Sequence, residues 1–242
     1  MDYEAYVLNL DRSEERMAAF RVAFANALPI FTRISGCVGS TLPDVATDLL
    51  VRNFPSAGKG GLGATLSHAA AWEKILKSDK PYGIILEDDT QPLKNFPKLI
   101  SDLGLQADFD VCFANQRMSK LNDYQDSDLT YISCIEALRG FPPNHNTPGG
   151  DCYIVSKAGA EKLLQLFSTD GFGSFLDWRI VAYCVTREEA KTLAQGSTAR
   201  AVIDILHNKS GSSLEIDGYV LASPLVKALG GPSDIGLEND KK

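Results

Sequence analysis

The sequence predicts one α/β domain with a mostly parallel central sheet flanked by helices. Short apolar runs alternate with segments of helical periodicity along most of the 242 residues, as they do in folds built from βαβ units. An apolar fraction of 44% and a charged fraction of 23% are ordinary for a folded globular chain. No repeat or linker-like tract divides the sequence. We therefore expect a single domain over residues 1–235 and a flexible tail over residues 236–242.

The elements are predicted in order from apolar runs and helix-start signals. An apolar run at residues 5–10 is followed by a polar segment in which Asp11 or Ser13 can cap a helix. Ser156 is the expected cap of a later helix. The other predicted strands lie at 30–34, 82–86, 109–114, 131–133 (an edge strand) and 152–155; the other helices lie at 62–76, 96–103, 156–164, 177–183 and 187–193. An apolar segment at 201–206 places His207 at an expected strand end.

Charge argues against one large class of partners. The chain has 24 Lys+Arg and 31 Asp+Glu, so the net charge is 24 − 31 = −7, and no basic run is longer than the final pair. Nucleic-acid binding relies on clustered basic residues, so we predict no nucleic-acid partner. A bound phosphate would need help from backbone N–H groups or from a metal ion.

Cysteine usage and hydropathy predict a cytoplasmic protein. The five cysteines are odd in number and form no Cys-x-x-Cys pair, as expected of free, mostly buried thiols in a reducing compartment. No stretch approaches the roughly 18 apolar residues of a spanning helix, and the first residues lack a signal-peptide pattern. No clear amphipathic basic helix for docking on a membrane is present, so peripheral contact with the inner face of the membrane has no support from the sequence.

The strongest local signal is the acidic triplet Glu87-Asp88-Asp89. It directly follows the apolar run at 82–86, so a buried strand delivers three carboxylates to its C-terminal end. Ligands of open α/β sheets bind at that end, and carboxylates there suit Mg²⁺ or Mn²⁺. The alternative interpretation is that the triplet solvates a turn and caps the next helix.

A glycine-rich segment at residues 58–65 invites comparison with a phosphate-binding loop. A P-loop requires Gly-Lys-Ser/Thr at the start of its helix, whereas Lys59 is followed here by Gly60. We therefore expect a flexible loop or lid over a substrate, or a plain connector.

Five further residues are candidates for a role in a functional site. Ser67 and His68 are neighbours on a predicted helix and point in different directions, which excludes a nucleophile–base pair. His207 is a candidate to complete a metal site with Asp89, or else a surface histidine. Asp177 starts a predicted helix and is either a cap or a catalytic base, with Asp151 as the competing carboxylate.

Several separated motifs, taken together and in order, resemble glycosyltransferase family 25. The match spans nearly the whole chain. Its segments are residues 7–13 with Arg16, Phe31 with residues 33–34, Gly63 with residues 66–68 and Trp72, residues 85–89, residues 153–156 with 159–164, residues 177–178, and residues 224–226 and 233–235.

The resemblance implies a nucleotide-sugar-binding fold of the GT-A type. It makes Asp89 a ligand of a Mn²⁺ or Mg²⁺ ion that holds the donor's diphosphate. The implied donor-binding residues are Asn9, Leu10, Asp11, Arg12, Ser67, His68, Glu87 and Asp88. The chain departs from the family pattern at Gly61 and Ala64, where relatives commonly carry Glu and Cys.

The expected activity is inverting transfer of a hexose, galactose from UDP-galactose, to a hydroxyl of a glycan such as lipopolysaccharide. Asp177 is the first choice for the base that accepts the hydroxyl proton, and Asp151 the second. Two rival hypotheses are a non-catalytic member that binds a glycan or partner, and a nucleotide hydrolase that uses the glycine-rich segment.

Overall fold

The computed structural model describes residues 3–54, 58–94, 96, 108–119, 131–142, 148–173, 175–212 and 215–229. Its strands are β1 (Tyr3–Asn9), β2 (Thr32–Ser35), β3 (Tyr82–Glu87), β4 (Thr90–Pro92), β5 (Val111–Phe113), β6 (Tyr131–Ser133), β7 (Cys152–Ser156), β8 (Gly218–Leu221) and β9 (Val226–Ala228). Seven of them form a central sheet in the order β2-β1-β3-β7-β5-β8-β6, and β4 pairs with β9 separately.

Helices cover the sheet, as predicted for an α/β fold. They are α1 (Glu14–Phe24), α2 (Asp44–Val51), α3 (Gly58–Lys77), α4 (Cys134–Arg139), α5 (Lys157–Asp170), α6 (Leu176–Tyr183), α7 (Arg187–Ala190) and α8 (Thr198–Lys209), with a 3-10 turn at Gly39–Thr41. The predicted cap of α5 is confirmed, because the Ser156 hydroxyl accepts a hydrogen bond from the Gly159 N–H at 2.9 Å. Apart from Phe96, the predicted helix at 96–103 and the predicted tail at 236–242 lie outside the described residues.

Two apolar clusters lie on opposite faces of the sheet. Alternation along β3 sends Ile84 and Leu86 into the cluster beside α1, whereas Ile85 joins the larger cluster with α3, α5, α6 and α8. Strand side chains buried on both faces mark a sheet covered by helices on both sides. Because helices cover both faces of the sheet, the cleft of this protein opens at the edge where the strands end.

The central sheet is mixed. The pairs β1–β2, β1–β3 and β5–β8 are parallel, while β3–β7, β5–β7 and β6–β8 are antiparallel. Strand β7 runs against both of its neighbours, so its first residues lie beside the last residues of β3. An apolar run shows that a strand is buried but does not encode its direction.

The prediction for residues 201–206 is wrong in type. This segment belongs to helix α8, in which Ala199, Ile203 and Leu206 are buried at helical spacing while Ile205 is exposed. An apolar run of six residues fits a strand or the face of a helix, and here the longer i, i+4, i+7 pattern decides.

The glycine-rich segment is also not a loop or lid. Helix α3 begins at Gly58 and includes all of its remaining residues. The glycines serve close packing: a methyl group on Gly63 would lie 2.5 Å from the carbonyl oxygen of Cys37. Small residues thus let α3 approach the backbone between β2 and the 3-10 turn.

All five cysteines are free, as expected, and Cys112, Cys134 and Cys152 are buried. Within the described residues, no helix is long and apolar enough to cross a membrane.

We expect Gly63→Ala to destabilise the fold although alanine is the better helix former. Helix propensity alone would add about 1 kcal/mol of stability, but the added methyl group collides with the Cys37 carbonyl. Overpacking of this kind costs about 1–3 kcal/mol. Thermal and urea denaturation measure the difference.

Ala64→Gly is the matched control on the next residue of the same helix. It should cost only the propensity difference of about 1 kcal/mol. If packing dominates, both variants are less stable than the natural chain. A more stable Gly63→Ala variant would show that α3 does not pack as described.

Candidate active site

A cleft opens where the parallel strands β1, β2 and β3 end. About 640 Å³ of space lies within it, including space that is open to solvent. Helix α3 forms one wall, and the acidic triplet lies at the end of β3. The lining residues are Leu8, Asn9, Leu10, Arg16, Gly36, Cys37, Gly60, Ala64, Ser67, His68, Glu87, Asp88 and Asp89. Most of the predicted donor-binding residues are therefore brought together.

Asp88 is the buried member of the triplet, 6% exposed, and it is held from two sides. The Asn9 amide donates to Oδ2 at 2.5 Å, and the Arg16 guanidinium donates to Oδ1. Burial raises the pKa of Asp88 above its ordinary value, and these two donors oppose the rise only in part. Since both oxygens are already engaged, Asp88 joins β3 to β1 and α1 beneath the cleft.

The same network continues to β2. Arg33 donates to the side-chain oxygen of Asn9 at 2.8 Å and to Oδ1 of Asp11 at 2.5 Å. Asn9 is thus oriented with its oxygen toward Arg33 and its NH₂ group toward Asp88. Asp11 and Arg12 are exposed and do not line the cleft, unlike the other predicted donor-binding residues.

The negative charge of Asp89 is only partly compensated by its neighbours. Burial, and then the charge of Glu87, raise the pKa of Asp89 to about 6. Arg16 lies 3.4 Å from Oδ2, but the buried Oδ1 has no hydrogen-bond partner among the residues described. A cation would stabilise this carboxylate.

The described residues contain no group of three or more Asp, Glu, His or Cys side chains arranged to hold a metal ion. Mg²⁺, however, is commonly bound by one or two carboxylates together with substrate phosphates and water. Asp89 would suit a cation bound in that way rather than one held in a preformed cage.

Glu87 ends β3 and faces α3. Its Oε1 lies 3.4 Å from Nε2 of His68, and Nδ1 of His68 lies 2.8 Å from the Tyr153 hydroxyl. Burial alone would raise the pKa of Glu87, but the hydrogen bond to His68, followed by the charges of Arg117 and Arg16, outweighs burial, and the pKa is lowered. The carboxylate therefore stays ionised at the cleft wall.

Ser67 lines the cleft with its hydroxyl already engaged. The hydroxyl donates to the Gly63 carbonyl at 2.8 Å and accepts from the Cys37 N–H at 2.8 Å. Ser67 therefore fixes the backbone that forms the opposite wall.

Asp151 lies directly across from Glu87, because the β3–β7 register pairs Leu86 with Cys152 and the Glu87 N–H donates to the Asp151 carbonyl at 3.0 Å. Its side chain is 2% exposed, and neither oxygen has a hydrogen-bond partner in the described part of the chain. Burial, and then Glu87, raise the pKa of Asp151 to about 7. A buried carboxylate without donors is costly, and such groups concentrate at functional sites.

Asp177 is engaged by backbone. Its Oδ2 accepts from the Gly149 N–H at 3.0 Å, and its Oδ1 accepts from the Trp178 N–H at 2.8 Å. Burial raises its pKa, and these two bonds oppose the rise. Gly149 has φ of +78°, and a methyl group there would lie 2.3 Å from Oδ1 of Asp151. Asp177 therefore holds the turn that leads into Asp151.

Sequence reasoning missed two residues of this region. Arg117 follows β5, lies 3.7 Å from Oδ1 of Asp151, and lowers the pKa of each of Glu87, Asp89, Asp151 and Asp177. No local pattern marks an arginine in a turn. Tyr153 was predicted as part of a strand and of a family motif but not as a site residue, yet it contacts His68.

The prediction of His207 as a metal ligand with Asp89 is wrong. His207 lies in the last turn of α8, where Nε2 is 2.8 Å from the Ala182 carbonyl. It lines a separate hollow with residues of α6 and α7, not the cleft that contains Asp89. The physical reason is the helical structure of residues 201–206, which turns His207 toward α6.

Comparison of the sequence with known protein families identifies the family of the chain. The model of a family described as "Glycosyltransferase family 25 (LPS biosynthesis protein)" matches residues 2–171, which is more than half of the chain. The chain belongs to glycosyltransferase family 25, and it is a transferase that moves a sugar from a donor to an acceptor. The matched region includes the cleft and Asp151, while Asp177 lies beyond it.

Among solved structures, the chain is similar to a glycosyltransferase involved in the glycosylation of the major capsid of PBCV-1. The two share 10% sequence identity with a TM-score of 0.43, and the alignment covers 98% of this chain and 97% of that one. A comparison with curated proteins finds no match.

We expect Asp151→Asn to stabilise the protein at neutral and alkaline pH. The folded pKa of about 7 lies above the ordinary value of 3.8, so the carboxylate is destabilising when ionised. Below pH 4 the acid is protonated in both folded and unfolded chains, and the variant should gain nothing. The gain should grow between pH 4 and 7 and reach about 2–4 kcal/mol, at about 1.4 kcal/mol per pKa unit. Urea denaturation across this pH range measures it.

Asp88→Asn is the matched control, since Asp88 is similarly buried but has donors on both oxygens. The new NH₂ group would face Asn9 or Arg16, so this variant should lose about 1–3 kcal/mol. Stabilisation by both variants, or by neither, would contradict the contrast between the paired and the unpaired carboxylate.

Proposed function

We propose that the protein transfers galactose from UDP-galactose, with inversion, to a hydroxyl group of a glycan of the lipopolysaccharide type, in a GT-A-like site assisted by Mn²⁺ or Mg²⁺. The observation that carries the proposal is that two carboxylates in different surroundings, those of Asp89 and Asp151, lie near each other at one end of the sheet. Asp89 lines the cleft with one buried oxygen that has no hydrogen-bond partner, and Asp151 adjoins the cleft with two such oxygens, counting the described residues. The reaction would take place in the cytoplasm, at the membrane if the acceptor is lipid-linked.

The cleft supplies the donor side of the reaction. It is open to solvent and lined by polar groups, and the chain's net charge of −7 makes a cation the natural partner of a diphosphate. Asp89 would hold the ion, with Glu87 beside it and Asp88 as the buried anchor. When bound, the ion supplies Lewis-acid stabilisation of the leaving diphosphate.

Asp151 is our choice of catalytic base. A base must be free to accept a proton and must have a pKa near the working pH. Asp151 meets both conditions, because neither of its oxygens has a hydrogen-bond partner among the described residues and its pKa is about 7. Asp177 instead accepts two backbone hydrogen bonds, which suits a positioning role.

The chemistry assigned to the chain is a single displacement. Asp151 accepts the proton of the acceptor hydroxyl as its oxygen bonds to the anomeric carbon, and the bond from that carbon to the diphosphate breaks on the opposite face. Attack opposite the leaving group gives inversion. The charge of Arg117 lowers the pKa of both Asp89 and Asp151, and so helps to hold these two like charges in one site.

The hydrolase hypothesis has lost its basis. Lys59 donates to the Leu42 carbonyl at 2.9 Å and pairs with Asp44 at 2.7 Å, within a helix rather than a phosphate-binding loop. A non-catalytic binding protein remains the rival, and it differs from the proposal in turnover.

Donor binding is tested by calorimetry with UDP-galactose, UDP-glucose, GDP-mannose, CMP-sialic acid and ATP, each with and without Mn²⁺. We expect UDP-galactose to bind most tightly and to require Mn²⁺. Asp89→Ala should abolish the Mn²⁺-dependent part of the affinity while the protein stays folded. Asp48→Ala, which changes an exposed carboxylate on α2, is the control. Binding of no nucleotide sugar would refute the proposal.

The choice of base is tested by turnover at saturating donor and acceptor. Asp151→Asn should lower kcat by 10²–10⁴-fold, the usual contribution of a general base. Asp177→Asn should reduce kcat less but lower the melting temperature. The asparagine side chain has a single oxygen, so it cannot replace both of the oxygens that accept from the Gly149 and Trp178 N–H groups. The reverse order of kcat values would assign the base to Asp177. Donor binding with no turnover for any glycan acceptor would favour the non-catalytic rival.

A further inference from the structure

Four side chains form a continuous hydrogen-bonded chain from the core to the cleft. The Trp72 indole N–H donates to the Tyr153 hydroxyl at 3.0 Å, and that hydroxyl lies 2.8 Å from Nδ1 of His68. The other ring nitrogen of His68, Nε2, lies 3.4 Å from Oε1 of Glu87. Trp72 and Tyr153 are fully buried and His68 is 1% exposed, whereas the Glu87 side chain is 37% exposed in the cleft.

The chemistry of the four groups fixes the direction of this chain. An indole N–H only donates, so the Tyr153 oxygen is the acceptor of the first bond. The hydroxyl hydrogen then needs an acceptor, and Nδ1 of His68 is its remaining partner among the described residues. With Nδ1 accepting, the ring proton of neutral His68 is on Nε2 and points at Glu87.

We infer that Tyr153 is a positioning residue that acts through His68 on the donor-binding carboxylate of Glu87. It selects the tautomer that donates from Nε2, and so holds Glu87 in place at the cleft wall. The inference rests on the proposed function for the role of Glu87, but the tautomer of His68 follows from the core contacts alone.

Burial makes this selection effective. No solvent reaches the Tyr153 hydroxyl to replace a lost partner, and the rings of His68 and Tyr153 are stacked at 5.7 Å with an interplanar angle of 16°. Without the hydroxyl, Nδ1 can take the proton. The lone pair of Nε2 would then face a carboxylate, and Glu87 would move away from it.

The tautomer can be read directly by ¹⁵N NMR. The chain has three histidines, so a histidine-labelled sample gives a spectrum that single substitutions of His145 and His207 assign. The natural protein without ligand should show His68 protonated at Nε2 and unprotonated at Nδ1. In Tyr153→Phe, signal from the Nδ1-protonated form should appear. A natural protein with a proton on Nδ1 would overturn the inference, whether or not the chain transfers galactose.

The effect on the site is measured by calorimetry with UDP-galactose and Mn²⁺. Tyr153→Phe should raise Kd about tenfold, the loss expected for a hydrogen bond to a charged group. Trp72→Phe removes more volume and should destabilise the fold more, yet it leaves the bond from Tyr153 to His68 and should change Kd less. Tyr131→Phe makes the same chemical change on the edge strand β6 and should leave Kd unchanged.

These outcomes separate the inference from the proposed function. If the natural protein binds UDP-galactose and Tyr153→Phe binds it equally well, Tyr153 does not position the site. If the affinities of the variants simply follow their melting temperatures, the role is structural, and the inference is wrong. If the natural protein binds no nucleotide sugar, the proposed function fails, while the NMR result still decides the tautomer of His68.

Discussion

The buried carboxylate of Asp88 is the constraint on which the rest of the site depends. A carboxylate this deeply buried needs hydrogen-bond donors, and it takes them from Asn9 at the end of β1 and Arg16 at the start of α1. Arg33 of β2 orients Asn9 in turn. The ends of three parallel strands and one helix are thereby held in one arrangement, which opens the cleft above them.

The direction of β7 gives this cleft its second, different carboxylate site. Because β7 runs against β3, the residue that precedes it, Asp151, lies opposite Glu87. Like charges placed across a strand pair are unfavourable, and burial adds to the cost. The cost is concentrated in Asp151 and Asp89, whose pKa values are raised to about 7 and about 6. Asp88, with its donors, and Glu87, beside His68 and two arginines, supply the stable frame around them.

The sequence predicted features that depend on neighbouring residues, but not features that depend on contacts between distant segments of the chain. Apolar runs bounded by polar residues located β3, β7 and the Ser156 cap, and the position of the acidic triplet at the end of β3 followed directly. Strand direction and the pairing of Asp151 with Glu87 are long-range properties that no window of sequence contains. His207 was misplaced because a six-residue apolar run does not distinguish strand from helix. Arg117 left no signal, since its role arises from acids brought together only by the fold.

A crystal structure with UDP-galactose and Mn²⁺ bound, with the ion located by anomalous scattering, would show where the donor and the cation bind. We predict the nucleotide in the cleft between Asn9 and His68, the ion at Asp89, and the anomeric carbon on the side of the cleft that faces Asp151. An ion bound away from Asp89, or a nucleotide bound outside this cleft, would contradict this prediction.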